Sequence, residues 1–244
     1  MIRQFLNQLS SPFTGEELFD HLADVVFFIK DSNGKYLVVN ETLAERCGVR
    51  DKQELIGCTA SEVLSPPLGE RFSDQDRKVL HTGQPLLSQL ELHLYETGQA
   101  GWCLTTKLPL RKRGGTIAGI VGVSQDLRLP DLKVEEYIHV AAAIKYAEQN
   151  IASPPSVADL AQVAGMSRYQ LDRRVRRVFG LTTGQWLIKS RIDLAQRRLV
   201  ETDDTIAMIA LGTGYADQSA FTRQFRRATG LTPSEYRGAR HEHG

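Results

Sequence analysis

Cysteine is scarce in this chain: of 244 residues only Cys47, Cys58 and Cys103 carry a thiol. They are scattered without metal-ligand spacing, so no disulfide framework and no metal site is expected, and reduced thiols suit a cytosolic setting. Long apolar runs are missing as well. No stretch approaches the roughly 20 residues that span a bilayer, and the opening MIRQFLNQLSSPFTG lacks the apolar centre of a secretory leader. The expectation is a cytoplasmic protein with no membrane partner. A nucleophile–histidine–acid motif, a Gly-rich phosphate loop and an HExxH pattern are all absent, so no catalytic residue is assigned and an enzyme is not expected.

What the chain does contain is the ordinary material of a folded protein, with 41% hydrophobic and 24% charged residues. Its length fits two domains. The net charge of +1 conceals an asymmetry: residues 153–244 hold 14 Lys and Arg against 9 Asp and Glu, whereas residues 1–152 hold 16 against 20. A basic final third on an acidic remainder points to a polyanionic partner for one domain only.

The first half alternates strand and turn signals. VVFFIKDSNGKYLVV (25–39) predicts two strands around a tight turn, with Asn33-Gly34 supplying left-handed conformations. ETLAERCGV predicts a short helix stopped at Gly48, and a polar helix is expected near 70–81, ending at Thr82-Gly83. Strand-like runs at 86–95, 102–110 and 116–125 are separated by ETGQAG and RKRGG. Two strands, short helices and three further strands make an α+β domain. Beyond Leu127–Lys133, which contains Pro130, helical periodicity takes over. Val134–Asn150 predicts one helix with Ile138, Ala141, Ala142 and Tyr146 on its apolar stripe.

The most informative feature is a duplication with a period of ~50 residues. LAQVAGMSRYQLDRRVRRVFGLTTGQW aligns with IALGTGYADQSAFTRQFRRATGLTPSEY. Each copy predicts a short apolar helix with a small residue (Ala161, Ala210), a turn glycine (Gly165, Gly214) and a second helix ending at glycine (Gly180, Gly230). The inward face of that second helix is expected to be Leu171, Val175 and Phe179 in one copy, and Phe221 and Phe225 in the other. Capping boxes follow at Thr182…Gln185 and Thr232…Glu235, with Pro233 at a first helical position. The outward faces carry Arg168, Tyr169, Asp172, Arg173 and Arg176, then Gln218, Ser219, Thr222, Arg223 and Arg226. Arginine forks match guanine edges, Gln and Ser hydrogen-bond other base edges, and further arginines neutralise phosphates. One such helix could equally be a solvated arginine face; two matched copies favour a pair of helices that read DNA grooves.

Residues about 134–237 resemble the DNA-binding domain of AraC/XylS-type transcription regulators, on the strength of GYADQSAFTRQFRRATGLTP and the closing Ser234-Glu235-Tyr236-Arg237. The resemblance implies an all-α domain over 134–240, with helix-turn-helix units at about 157–177 and 205–227 joined by a long helix near Gln185–Glu201. It places Tyr169, Asp172 and Arg173, and then Gln218, Ser219, Thr222 and Arg223, toward bases. Arg176 and Arg226 are left for the backbone. Asp172 has two readings, acceptance from a cytosine amine or pairing with a neighbouring arginine.

Residues about 16–127 resemble a PAS domain, through DVVFFIKD (24–31), Gly34, Val39-Asn40, Leu55-Ile56-Gly57, Leu80–Gly83, Trp102, Thr105–Pro109 and Gly119–Asp126. This implies a five-stranded antiparallel sheet with short helices, around a pocket that holds an organic ligand or is filled by core. Candidate wall residues are Phe27, Ile29, Val39, Asn40, Leu43, Trp102 and Thr105. The flavin type needs a cysteine in an Asn-Cys-Arg-like helix motif, and haem-binding relatives carry an axial histidine where this chain has Phe72, so neither cofactor is expected. Residues 128–133 are read as a linker. The implied partners are double-stranded DNA, a second copy of the chain through the PAS domain, and RNA polymerase. The implied function is a DNA-binding transcription regulator controlled by a signal at the PAS domain; the alternative is a PAS domain that serves only for dimerisation or protein–protein interaction.

Overall fold

The computed structural model describes residues 5, 8, 9, 14–64, 66, 68–94, 100–127 and 135–241. The expected linker 128–133, most of the ETGQAG turn and Val134 lie outside them. The chain divides into two compact units, Met1–Asp126 and Leu127–Gly244.

The first unit runs α1 (Glu16–Asp20), β1 (Val25–Asp31), β2 (Tyr36–Val39), α2 (Glu41–Arg46), a 3-10 turn (Lys52–Leu55), α3 (Ala60–Val63), α4 (Leu68–Thr82), β3 (Leu86–Leu94), β4 (Ala100–Arg111) and β5 (Ile117–Asp126). The five strands form the expected antiparallel sheet, in the order β2-β1-β5-β4-β3. In the β1–β2 turn only Gly34 is left-handed, at φ 78°. Asn33 is not; the Asp31 carboxylate holds the turn instead, accepting from the Asn33 and Lys35 N–H groups at 2.8 and 2.9 Å. Side chains on a strand alternate between faces. Phe27 stacks on Phe19 of α1 with ring centroids 4.3 Å apart, while Val26, Phe28 and Lys30 point the other way, into a cavity also lined by Leu43 of α2 and Phe72 of α4.

The second unit is helical: α5 (Glu135–Gln149), α6 (Val157–Val163), α7 (Arg168–Phe179), α8 (Thr183–Glu201), α9 (Ile206–Gly212), α10 (Gln218–Thr229) and α11 (Pro233–His241). The buried stripe of α5 is Val140, Ala143, Ile144 and Ala147, not the expected Ile138, Ala141, Ala142 and Tyr146; Ile138 is 73% exposed. YIHVAAAIKYA holds two apolar stripes at helical spacing, and the one that also repeats seven residues on (Val140, Ala147) is buried. On α7 the inward residues are Leu171, Val175 and Val178. Phe179 is displaced to a half-buried position against Trp186, centroids 5.8 Å apart. On α10 they are Phe221, Phe225 and Ala228. Both triads thus follow an i, i+4, i+7 spacing.

Candidate nucleic-acid interface and internal cavity

The two helix pairs are built alike from local chemistry. Ser156 and Thr205 cap α6 and α9, accepting from Asp159 N–H and Met208 N–H. Each of these helices ends in a turn where a chain-reversing bond closes on the small residue: Met166 N–H donates to Ala161 O and Tyr215 N–H to Ala210 O, both at 3.0 Å. Gly165 and Gly214 stand in these turns at φ 64° and 76°. Ser167 then caps α7 and Asp217 caps α10 through their side chains. One residue, Met166, separates glycine from cap in the first turn, and two, Tyr215 and Ala216, in the second.

Burying the inward triads fixes which residues face outward. Arg168, Tyr169, Arg173 and Arg176 are exposed on α7, as are Gln218, Ser219, Arg223 and Arg226 on α10; Thr222 is half-buried. Arg174 and Arg177, outside the expected set, wall a groove on α7 together with Gln170 and Arg173. Their arginine-rich context was visible, but their side of the helix was not.

Asp172 is held within the domain. Its Oδ1 accepts the Thr183 N–H at 2.8 Å, and its Oδ2 lies 3.0 Å from Arg176 Nε. Partial burial opposes ionisation, yet the Thr183 N–H and the Arg176 guanidinium hold this carboxyl below its ordinary range. Of its two readings, the structure favours pairing with the neighbouring arginine. Arg191 of α8 secures the second turn. Its Nε and Nη2 donate to the Thr213 and Gly214 carbonyls, each at 2.7 Å, and its guanidinium lies 3.7 Å from the centre of the Tyr215 ring. Arg237 of α11 donates to Leu199 O and Asp204 O at 3.1 and 2.7 Å, tying the end of α8 and the segment before α9 to α11.

In the first unit the cavity encloses about 50 Å³. Of the expected wall residues only Leu43 and Thr105 line it. Phe27 and Ile29 lie on the opposite face of β1, because VVFFI is apolar at successive positions and its alternation cannot be read from composition. Trp102 alternates away from Cys103 in the same manner and pairs with Leu92. Val39 is packed in the core beside Phe28. Asn40 caps α2 and braces β1: its Oδ1 accepts Phe27 N–H at 2.9 Å, and its Nδ2 donates to Val25 O at 2.7 Å.

The polar side of this cavity escaped sequence reasoning. Lys30, Lys107 and Asp76 are each no more than 2% exposed and meet as an ionic group. Pairing Glu91 with Cys103 across β3 and β4 also gathers Glu91, His93 and Cys103, with ligand-type atoms within 4.8 Å of one another, although no metal-ligand spacing marks them in the sequence. Burial, with Arg46, Arg71 and Lys107 nearby, pushes the His93 imidazole down to about 3 against the pull of Glu91. Burial likewise pushes the Cys103 thiol up to about 12. Both groups are therefore neutral, with the Glu91 carboxylate the strongest charge acting on each. Among the described residues no helix is long and apolar enough to cross a membrane.

Comparison with known proteins agrees with this division. A helix-turn-helix domain family matches residues 160–239, and a PAS fold family matches residues 19–129. The chain is 34% identical over 98 residues to the regulatory protein SoxS of Salmonella typhimurium, covering 40% of this chain and 92% of that protein. It is 38% identical over 98 residues to a putative AraC-like transcription regulator of Streptomyces lividans, covering 40% of this chain and 32% of that one. It is 30% identical over 114 residues to the probable transcriptional regulator LumQ of Photobacterium leiognathi, covering 47% and 46%. The match thus spans about half the length of LumQ and a third of the Streptomyces protein, while it takes in nearly all of SoxS. With its duplicated helix pairs, matched turns and basic outward helices, the chain belongs to the AraC-type family of transcription regulators, and it carries a PAS-fold domain ahead of the helix-turn-helix domain.

Proposed function

We propose that this protein regulates transcription by laying α7 and α10 into consecutive major grooves on one face of double-stranded DNA, under control of a small molecule held by its N-terminal domain. The observation that carries the first part is the pair of equivalent buried triads, Leu171/Val175/Val178 and Phe221/Phe225/Ala228, which turn equivalent faces outward. Arginines recur at matched positions of the two helices: Arg173 with Arg223, Arg176 with Arg226 and Arg177 with Arg227. Arg173 and Arg223 are assigned to base edges, and Arg176 and Arg226 to phosphates. The matched positions that differ (Arg168 and Gln218, Tyr169 and Ser219, Asp172 and Thr222) give the two helices different base preferences, so the two halves of the bound site differ in sequence. Asp172 acts as a positioning residue.

The cavity among β1, β4, β5, α2 and α4 supports a sensing N-terminal domain over one that serves only for association, since a domain used solely as an interaction surface has no need of a polar interior. Selection from randomised duplexes at moderate salt tests the DNA reading. A consensus with two unlike halves, whose affinity falls steeply as salt is raised, is the expected result. Retention that is equal for every duplex would overturn it.

A further inference from the structure

The cavity of the N-terminal domain has an unbalanced interior. Lys30 and Lys107 both direct their ammonium groups at Asp76: Lys30 pairs with Oδ2, and Lys107 Nζ lies 2.6 Å from Oδ1. All three side chains are removed from water. Two buried cations thus share one carboxylate. Arg46, which also lines the cavity, brings no spare negative charge, because its guanidinium pairs with Asp126 at 2.6 Å. A buried charge left without a counter-charge is costly, and the cost shows at Lys30, where burial outweighs Asp76 and depresses the ammonium to about 8. The rest of the wall is largely apolar, with Val26, Phe28, Leu43, Leu68 and Phe72 facing the space. Thr105 and Ser124 add a hydroxyl pair 2.6 Å apart.

We infer that this cavity takes a small organic acid, whose carboxylate completes the Lys30–Asp76–Lys107 group and whose apolar body lies against Phe28, Leu43 and Phe72. The inference rests on the sensing role proposed above and names the chemistry of the signal. An enclosed volume of about 50 Å³ is smaller than the ~150 Å³ that takes benzene, so the guest is a short-chain acid. The competing occupant is a metal ion on Glu91, His93 and Cys103. Arg71 already pairs with Glu91 at 2.5 Å, so a divalent cation would have to displace that guanidinium from its carboxylate. A guest carboxylate breaks no existing ion pair and adds the negative charge that Lys30 and Lys107 share too little of.

Thermal unfolding of the full chain tests this with matched acids and amides of the same shape: 3-methylbutanoate and 3-methylbutanamide, pyruvate and pyruvamide, at constant ionic strength. At least one acid is expected to raise the melting temperature saturably while its amide does not. That shift should vanish in Lys107→Met and in Lys107→Gln, the second of which keeps a donor without the charge. Amides acting as well as acids, no acid acting in any pair, or a shift that survives both substitutions overturns the inference. Binding to the selected duplex is measured on the same preparations. Failure of the acids with duplex preference intact refutes this inference alone, and loss of duplex preference refutes the function proposed above.

Discussion

Asp172 accepts the backbone N–H of Thr183 at 2.8 Å, fastening α7 to the first turn of α8. At the matching points of the second helix pair stand Thr222 and Pro233. Proline has no N–H to offer, so the second pair needs no acceptor there, and position 222 is released for other use. Asp172→Ala is therefore expected to destabilise the C-terminal unit by about 1–2 kcal/mol, the loss of one cap-like bond and one arginine contact. Affinity should fall about equally for specific and random duplexes. Thr222→Ala should leave stability nearly unchanged and alter base preference. Urea unfolding and duplex titrations check both. Because the folded-state carboxyl of Asp172 is held below its ordinary value of 3.8, its stabilisation is present above that pH and is lost on further acidification.

Gly165 and Gly214 share a left-handed backbone but not their surroundings. A Cβ at Gly165 meets nothing within 4 Å, whereas at Gly214 it would come within 2.5 Å of Ile151 O and of Pro154 Cδ. Gly165→Ala is expected to cost about 1–2 kcal/mol from the conformation alone. Gly214→Ala should cost about 3 kcal/mol or more, since overpacking adds to the strain. Equal losses in denaturant titrations would contradict the close approach at Gly214.

The Lys30 ammonium gives the N-terminal unit an unusual response to base. Its folded value of about 8 lies below the ordinary 10.5, so between these values the unfolded chain holds a proton that the folded chain has released, and stability rises with pH. Burial acts oppositely on Cys103, raised from 9.0 to about 12, and on Tyr36, raised well above 10.0; each removes stability as pH climbs past its ordinary value. The gain is thus confined to about pH 8–9. The melting temperature of the unit should climb across that window in the wild type and not in Lys30→Met.

Arg223 stands exposed on α10 with Phe221 and Phe225 buried behind it. Arg223→Ala is expected to lose roughly 1–3 kcal/mol on the selected duplex and to relax preference at one base position. Equal loss on random DNA would place Arg223 on a phosphate instead.

The helical half was largely legible in the sequence, because turn glycines, caps and apolar spacing are local signals that occur there twice. Its misses are small and physical: Val178 displaces Phe179 from the core, and the α5 stripe is the one that closes over seven residues. The N-terminal fold was legible from its strand and turn pattern, but its interior was not. Val25 to Ile29 are apolar on both faces, which hid the side that the cavity occupies. Lys30, Asp76 and Lys107 are distant in sequence and converge only through strand pairing and the docking of α4 on the sheet. A lysine in a strand gives no local sign that it will be buried.

The claim on which the rest depends is that α7 and α10, joined by the single helix α8, engage successive grooves on one side of the duplex. Inserting about five base pairs between the two halves of the selected site turns the second half to the far side, since the duplex repeats every ~10 base pairs. Affinity is then expected to drop to that of a single half-site, and the footprint to shrink to one half. Undiminished affinity for the lengthened site, with both halves still protected, would contradict the account.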